Sequence, residues 1–206
     1  FGNNTSGNRR NLKVYKVAIA EVLSKDTVAA ENIETLHFFY PEQTNFNQQV
    51  SNSTDFDCEA LLIFNEQIHL FTKEWTREFT THYTLPTTFT PDTVAATRVA
   101  EYAINGLVTA ADISPRQNEI YLLTYGDVTE NANPPKNQIH GYVFRDFGGS
   151  NFLSVAPQVV SYNGGYFANG QVEGVAYRNA VDIWISAESV LIFPARLYLA
   201  SLLKTP

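Results

Sequence analysis

Asp57-Cys58-Glu59-Ala60-Leu61-Leu62 is the phrase whose repetition decides the fold. It returns as Ala110-Ala111-Asp112-Ile113-Ser114 and as Gln171-Val172-Glu173-Gly174-Val175-Ala176. Each copy sets one carboxylate (Glu59, Asp112, Glu173) among small or apolar residues, and an apolar strand ending in a hydroxyl follows. Those strands are Ile68-His69-Leu70-Phe71-Thr72, Ile120-Tyr121-Leu122-Leu123-Thr124 and Ile183-Trp184-Ile185-Ser186, which put carboxylate and hydroxyl 13, 12 and 13 residues apart. Self-similarity at this scale, built from strands alone, predicts an all-β repeat architecture: a β-propeller of four-stranded antiparallel blades, five or six in the complete protein.

Working outward, the first full blade is expected over 57–104, with strands at Glu59–Phe64, Ile68–Thr72, Thr80–Leu85 and Ala96–Ile104. The second covers 107–162, with an inner strand at Asp112–Ser114 followed by Ile120–Thr124, Ile139–Phe147 and Phe152–Tyr162. A partial closing blade covers 171–202. Toward the N-terminus, Leu12 to Ile19 and Ile33 to Tyr40 alternate apolar and polar residues with the period of a half-buried strand. Residues 1–41 therefore read as the outer half of a blade without its inner strands. The sequence contains no methionine, and the whole is expected to be one propeller domain completed by a missing N-terminal segment.

Composition sets the outer bounds. The 206 residues are 44% hydrophobic and 17% charged with a formal net charge of −7, which is a globular balance and an unfavourable one for a phosphate backbone. No apolar run reaches the roughly 20 residues of a membrane-spanning helix. Nucleic acid and a transmembrane segment are both excluded on these grounds. Cys58 is the single cysteine, so its expected state is a buried, inert thiol. Asn4-Thr5-Ser6 and Asn52-Ser53-Thr54 match the glycosylation acceptor pattern.

Phe1-Gly2-Asn3-Asn4 with Gly7-Asn8-Arg9, Asp57-Cys58-Glu59-Ala60, Leu70-Phe71-Thr72-Lys73, Tyr83-Thr84-Leu85-Pro86, Ala111-Asp112-Ile113-Ser114 and Val172-Glu173-Gly174-Val175-Ala176 together resemble a group of secreted β-propeller proteins of Bacteroidetes. These are commonly associated with type IX secretion and loosely similar to phytase-like and esterase-like propellers. The resemblance covers nearly the whole chain. It implies a secreted or cell-surface location and a further blade and a half upstream, and it brings no defined activity.

The candidate site is the rim of the central channel. Glu59, Asp112 and Glu173 would begin the innermost strands and converge there, where they could bind Ca²⁺, a cation that takes six to eight oxygen ligands. The competing role is structural, with each carboxylate accepting backbone N–H groups at a blade junction; a feature that keeps the repeat favours this role. Lys73, Tyr125 and Glu188 lie just past the second-strand hydroxyls, and Lys73 is placed to pair with Glu59 or to lie in solvent. Trp75, Tyr125, Tyr166 and Phe167 could form a stacking surface for a sugar or peptide, or cover sheet edges.

His37, His69, His82 and His140 each stand alone in a strand pattern, without zinc spacing, and neither a nucleophile elbow nor a P-loop is present. No catalytic residue is therefore assigned. The reading favoured by this pattern is a protein- or glycan-binding module. Its alternative is a calcium-dependent phytase-like or esterase-like hydrolase, whose substrate phosphate would find only Lys73 as an obvious cationic partner.

Overall fold

The computed structural model describes residues 2–126, 138–163, 169–189 and 194–202, and in it strands follow one another in four consecutive sheets. The first sheet holds β1 (Leu12–Val17), β2 (Ile33–Phe39) and β6 (Val94–Ala95), in that order. The second runs β3 (Asp57–Phe64), β4 (Gln67–Lys73), β5 (Phe79–Pro86) and β7 (Thr97–Ala103). The third runs β8 (Leu107–Ile113), β9 (Glu119–Tyr125), β10 (Ile139–Arg145) and β11 (Gln158–Tyr162). The fourth has β12 (Gln171–Tyr177), β13 (Asp182–Glu188) and β14 (Arg196–Ser201). An α-helix of six residues, α1 (Ile19–Ser24), lies between β1 and β2.

Within the second, third and fourth sheets every neighbouring pair is antiparallel. The second-sheet hairpin shows how locally this is specified. Asn65 and Glu66 have φ of 47° and 58°, and this pair of left-handed residues is what a two-residue turn needs to match the strand twist.

The sheets stack face to face, and the period of two explains how one strand serves two interfaces. In β4, Ile68 and Leu70 pack toward the first sheet with Leu12, Leu36 and Phe38, while Phe71 packs toward the third with Ile120 and Leu122. In β9, Ile120 and Leu122 face the second sheet, whereas Tyr121 and Leu123 face the fourth with Ile183 and Ile185. A strand covered on both faces must be apolar throughout, hence Ile120-Tyr121-Leu122-Leu123. In the second, third and fourth sheets burial is greatest in the middle strands and absent from the last: β7, β11 and β14 have no buried residue. β3 packs beside β8, and β8 beside β12. The arrangement is β-propeller-like, with three first strands gathered on the inside.

Several expected boundaries shift. The inner strand of the third sheet is Leu107–Ile113 rather than Asp112–Ser114, and Phe152–Ser154 is a 3-10 turn rather than the start of the fourth strand. The stretch expected as one strand from Ala96 is preceded by Val94 and Ala95, which pair in parallel with Phe38 and Phe39. The chain thus adds an outer strand to the first sheet just before it completes the second.

His69 and His82, expected to stand alone, are a pair. In the β4–β5 register Phe71 lies opposite His82 and His69 opposite Thr84, so the two imidazoles are diagonal neighbours on one face. Their Nδ1 and Nε2 atoms are 2.8 Å apart, and His69 Nε2 is 3.1 Å from the Phe64 carbonyl. That carbonyl can only accept, so His69 carries its proton on Nε2 and His82 donates from Nε2 to His69 Nδ1. The leftover atom is His82 Nδ1, which has no partner. Phe71 stacks on His82 at 4.9 Å and Phe152 closes the site at 5.3 Å.

Candidate functional site

Three β-bulges build the site. The ladder between β3 and β4 skips Glu59, passing from Cys58↔Thr72 to Ala60↔Phe71. The β12–β13 ladder skips Glu173 in the same way, between Val172↔Ala187 and Gly174↔Ser186. In the β8–β9 ladder the skipped residue is Thr109, between Val108↔Thr124 and Ala110↔Leu123. An unpaired extra residue reverses the alternation beyond it, and this is why Cys58 shares a face with Leu61 while Ala60 shares the other with Leu62. The equivalent positions are therefore Glu59, Thr109 and Glu173. Asp112 is not among them.

This corrects the expectation that three carboxylates converge. Asp112 lies three residues further along β8, where its Oδ2 accepts the Tyr177 backbone N–H at 2.6 Å and so ties the third sheet to the fourth. Burial raises its carboxyl pKa, against the backbone N–H groups of Tyr177 and Ile113, which favour the charged form. Thr109, in the position expected for Asp112, is buried and donates to the Val172 carbonyl at 2.9 Å.

Glu59 and Glu173 do meet. They come from the second and fourth sheets, and Glu59 and Lys73 both act on the Glu173 carboxyl, with opposite signs. Lys73 is placed beside them because β4 ends opposite Asp57. Its Nζ lies 2.6 Å from Glu59 Oε2 and donates to the Tyr125 hydroxyl at 3.2 Å. The Tyr125 and Trp75 rings flank the ammonium at 4.9 and 5.2 Å, close enough for cation–π attraction. Trp75 is itself fixed by donating Nε1–H to Asp57 Oδ2 at 2.9 Å, while Asp57 Oδ1 accepts the Asn3 N–H. The lysine side chain is 2% exposed and that of Glu59 27% exposed, so the carboxylate is the part of the pair that solvent reaches.

Electrostatics follow from this crowding. Burial alone would lower the Lys73 pKa, but Tyr125, Glu59 and Glu173 raise it above the ordinary ammonium value. Burial pushes the Glu173 carboxyl up to about 7, with Glu59 adding to the rise and Gln171 and Lys73 opposing it. Gln171 Nε2 donates to Glu173 Oε1 at 2.6 Å. Burial also pushes the Tyr125 hydroxyl up to about 12. The cluster is thus one ammonium, one carboxylate and one carboxyl that holds a proton near neutrality, beside two aromatic faces.

Glu188, in register with Lys73 and Tyr125 at the end of its second strand, is exposed. Tyr166 and Phe167 lie outside the described residues. The calcium expectation fits this geometry poorly, since an ammonium already occupies the approach to Glu59 and only two of the three carboxylates are present. Among the described residues no group of three or more His, Cys, Asp or Glu side chains is arranged to hold a metal ion. Gln171, Trp75 and Thr109 complete the site without having been assigned this role from sequence, except for Trp75's ring.

No protein-family model matches the chain, and no curated protein sequence matches it either. Among solved structures it is similar to the PQQ-bound form of an aldose sugar dehydrogenase from Streptomyces coelicolor, with 10% sequence identity and a TM-score of 0.42. The match covers 92% of this chain, which spans 57% of the length of that protein. No helix among the described residues is long and apolar enough to cross a membrane.

Proposed function

We propose that the chain is part of a secreted or cell-surface β-propeller of five or six blades that binds a glycan at the rim formed by its inner strands. One observation carries the reading: the partly exposed Glu59 carboxylate stands beside the Trp75 and Tyr125 rings, all held by the buried Lys73 ammonium. A carboxylate with free acceptor positions recognises sugar hydroxyls, and a ring face covers the apolar side of a pyranose. Because Lys73, Asp57 and Gln171 fix these groups in advance, little side-chain entropy is lost on binding. The location outside the cell rests on the sequence resemblance alone.

The test is isothermal titration of the protein with neutral hexasaccharides of glucose, xylose and N-acetylglucosamine. Binding of at least one of them, weakened tenfold or more by both Glu59→Gln and Trp75→Ala, is the expected result. No binding to any, or binding that both substitutions leave intact, would remove the proposal.

A further inference from the structure

Where β1 begins and β2 ends, the first sheet carries a pocket of about 360 Å³, within the range of small-molecule sites. Arg9 and Arg10 just before β1, Phe39 at the end of β2, Thr93 just before β6, and Gln43 and Phe46 in the loop after β2 wall it. The pocket therefore spans the whole width of the sheet, whose order is β1-β2-β6, and its walls are this chain's own residues.

Two guanidiniums here lack a counter-charge. Arg77, Arg98 and Arg145 each hold a carboxylate, whereas Arg9 and Arg10 form no ion pair among the described residues. Arg9 gives one N–H to the Gly2 carbonyl at 2.6 Å, and a neutral carbonyl leaves the charge uncompensated. Arg10 lies with its Cζ 3.7 Å from the centre of the Phe46 ring; a guanidinium stacked in this way keeps its N–H groups free to fork onto an oxyanion. Gln43 stands with them and is only 5% exposed. Its Nε2 donates to the Gly7 carbonyl at 2.9 Å, and because that carbonyl can only accept, Oε1 is the amide atom left over. Oε1 has no partner among the described residues and is not sealed from solvent, so it opens on the pocket that Gln43 lines. Glu42, the acid beside Gln43 in the chain, is taken by the Tyr83 hydroxyl at 3.3 Å in a separate depression.

We propose that this pocket binds the uronic acid residue of an acidic glycan. The sugar carboxylate takes the N–H groups of Arg9 and Arg10 in charge-assisted bonds, a ring hydroxyl donates to Gln43 Oε1, and the C–H face of the pyranose covers the exposed Phe39 ring. Two adjacent cations repel the ammonium of a free amino acid, and they leave a neutral sugar without its strongest bond. The pocket shares no residue with the rim at Glu59, so binding here does not require binding there.

The probe is trigalacturonic acid, with its trimethyl ester as the neutral twin. Isothermal titration should show binding of the acid and at least tenfold weaker binding of the ester. Arg10→Gln and Phe46→Ala should each weaken binding of the acid at least fivefold. Arg116→Gln, at an exposed arginine in the turn between β8 and β9, and Trp75→Ala, at the rim, should leave it within twofold of the wild type. Four outcomes each overturn the proposal: no binding of the acid, equal binding of acid and ester, an Arg116→Gln loss as large as that of Arg10→Gln, and a fivefold loss in Trp75→Ala, which would place the acid at the rim. Tighter binding of a sulfated neutral trisaccharide, or of a tripeptide with a free C-terminal carboxylate, assigns the pocket to another ligand and overturns it as well.

Discussion

Acidification should destabilise this protein through one buried imidazole pair, and the size of the effect follows from its surroundings. His82 is fully buried, stacked on Phe71, and shares its Nε2 proton with His69. Burial, with a smaller contribution from His69, lowers its pKa to about 3, and burial lowers that of His69 too. In the unfolded chain both rings take up a proton as pH falls below about 6.5. The unfolded state then binds more protons than the folded one, so stability present above pH 6.5 is lost as pH falls toward 3. His82 alone contributes about 1.4 kcal/mol per pH unit, or roughly 2 kcal/mol by pH 5. Glu173 acts with the opposite sign: its folded pKa is raised to about 7, so it favours the folded state at low pH and loses that contribution as pH rises through 7. Urea unfolding at half-unit steps from pH 4.5 to 8 separates the two. His82→Phe should flatten the acid limb, and Glu173→Gln should steepen it between pH 4.5 and 6.5. An acid limb unchanged in His82→Phe, or an NMR titration of His82 near pH 6.5, would refute the reasoning.

Two other perturbations test the packing and the site. A Cβ added at Gly141 would sit 1.6 Å from the Tyr121 hydroxyl, which is buried and bonded to the Tyr162 hydroxyl at 2.6 Å; Gly141→Ala should therefore cost about 1 to 3 kcal/mol by overpacking, and Tyr121→Leu in the same chain should cost less than the sum of the two changes. Lys73→Met removes the cation between Glu59 and Glu173 and should cost about 1 to 3 kcal/mol, with the larger loss of melting temperature at pH 8 than at pH 5.5, because a proton can replace the ammonium only at the lower pH.

Alternation made most of the strands legible. Leu36 and Phe38 point inward and Thr35, His37 and Phe39 away, as the period of two requires, and the doubly covered β9 announces itself as an unbroken apolar run, Ile120 to Leu123, which His69 interrupts in β4. The site was harder to read because bulges add a residue without leaving a compositional mark. Matching acid to acid aligned Asp112 with Glu59 and Glu173. The structural alignment is Cys58-Glu59-Ala60, Val108-Thr109-Ala110 and Val172-Glu173-Gly174, an apolar residue, a polar one, then a small one, and that pattern is visible in the sequence once charge is disregarded. The histidine pair needed the β4–β5 register, which two residues 13 positions apart do not disclose. The passage of Val94 and Ala95 into the neighbouring sheet depends on contacts with Phe38 and Phe39 that no local pattern encodes.

The central claim is that carboxyl groups from the second and fourth sheets meet beside Lys73. It is tested most directly by a pH titration of ¹³C-labelled glutamate side chains, followed by NMR in the wild type and in Glu59→Gln. Glu173 should titrate at about pH 7 in the wild type and move part of the way toward the ordinary glutamate value in Glu59→Gln, since burial persists when the neighbouring carboxylate is gone. A Glu173 carboxyl that titrates near 4.5 in both proteins would show that the two sheets do not bring these groups together.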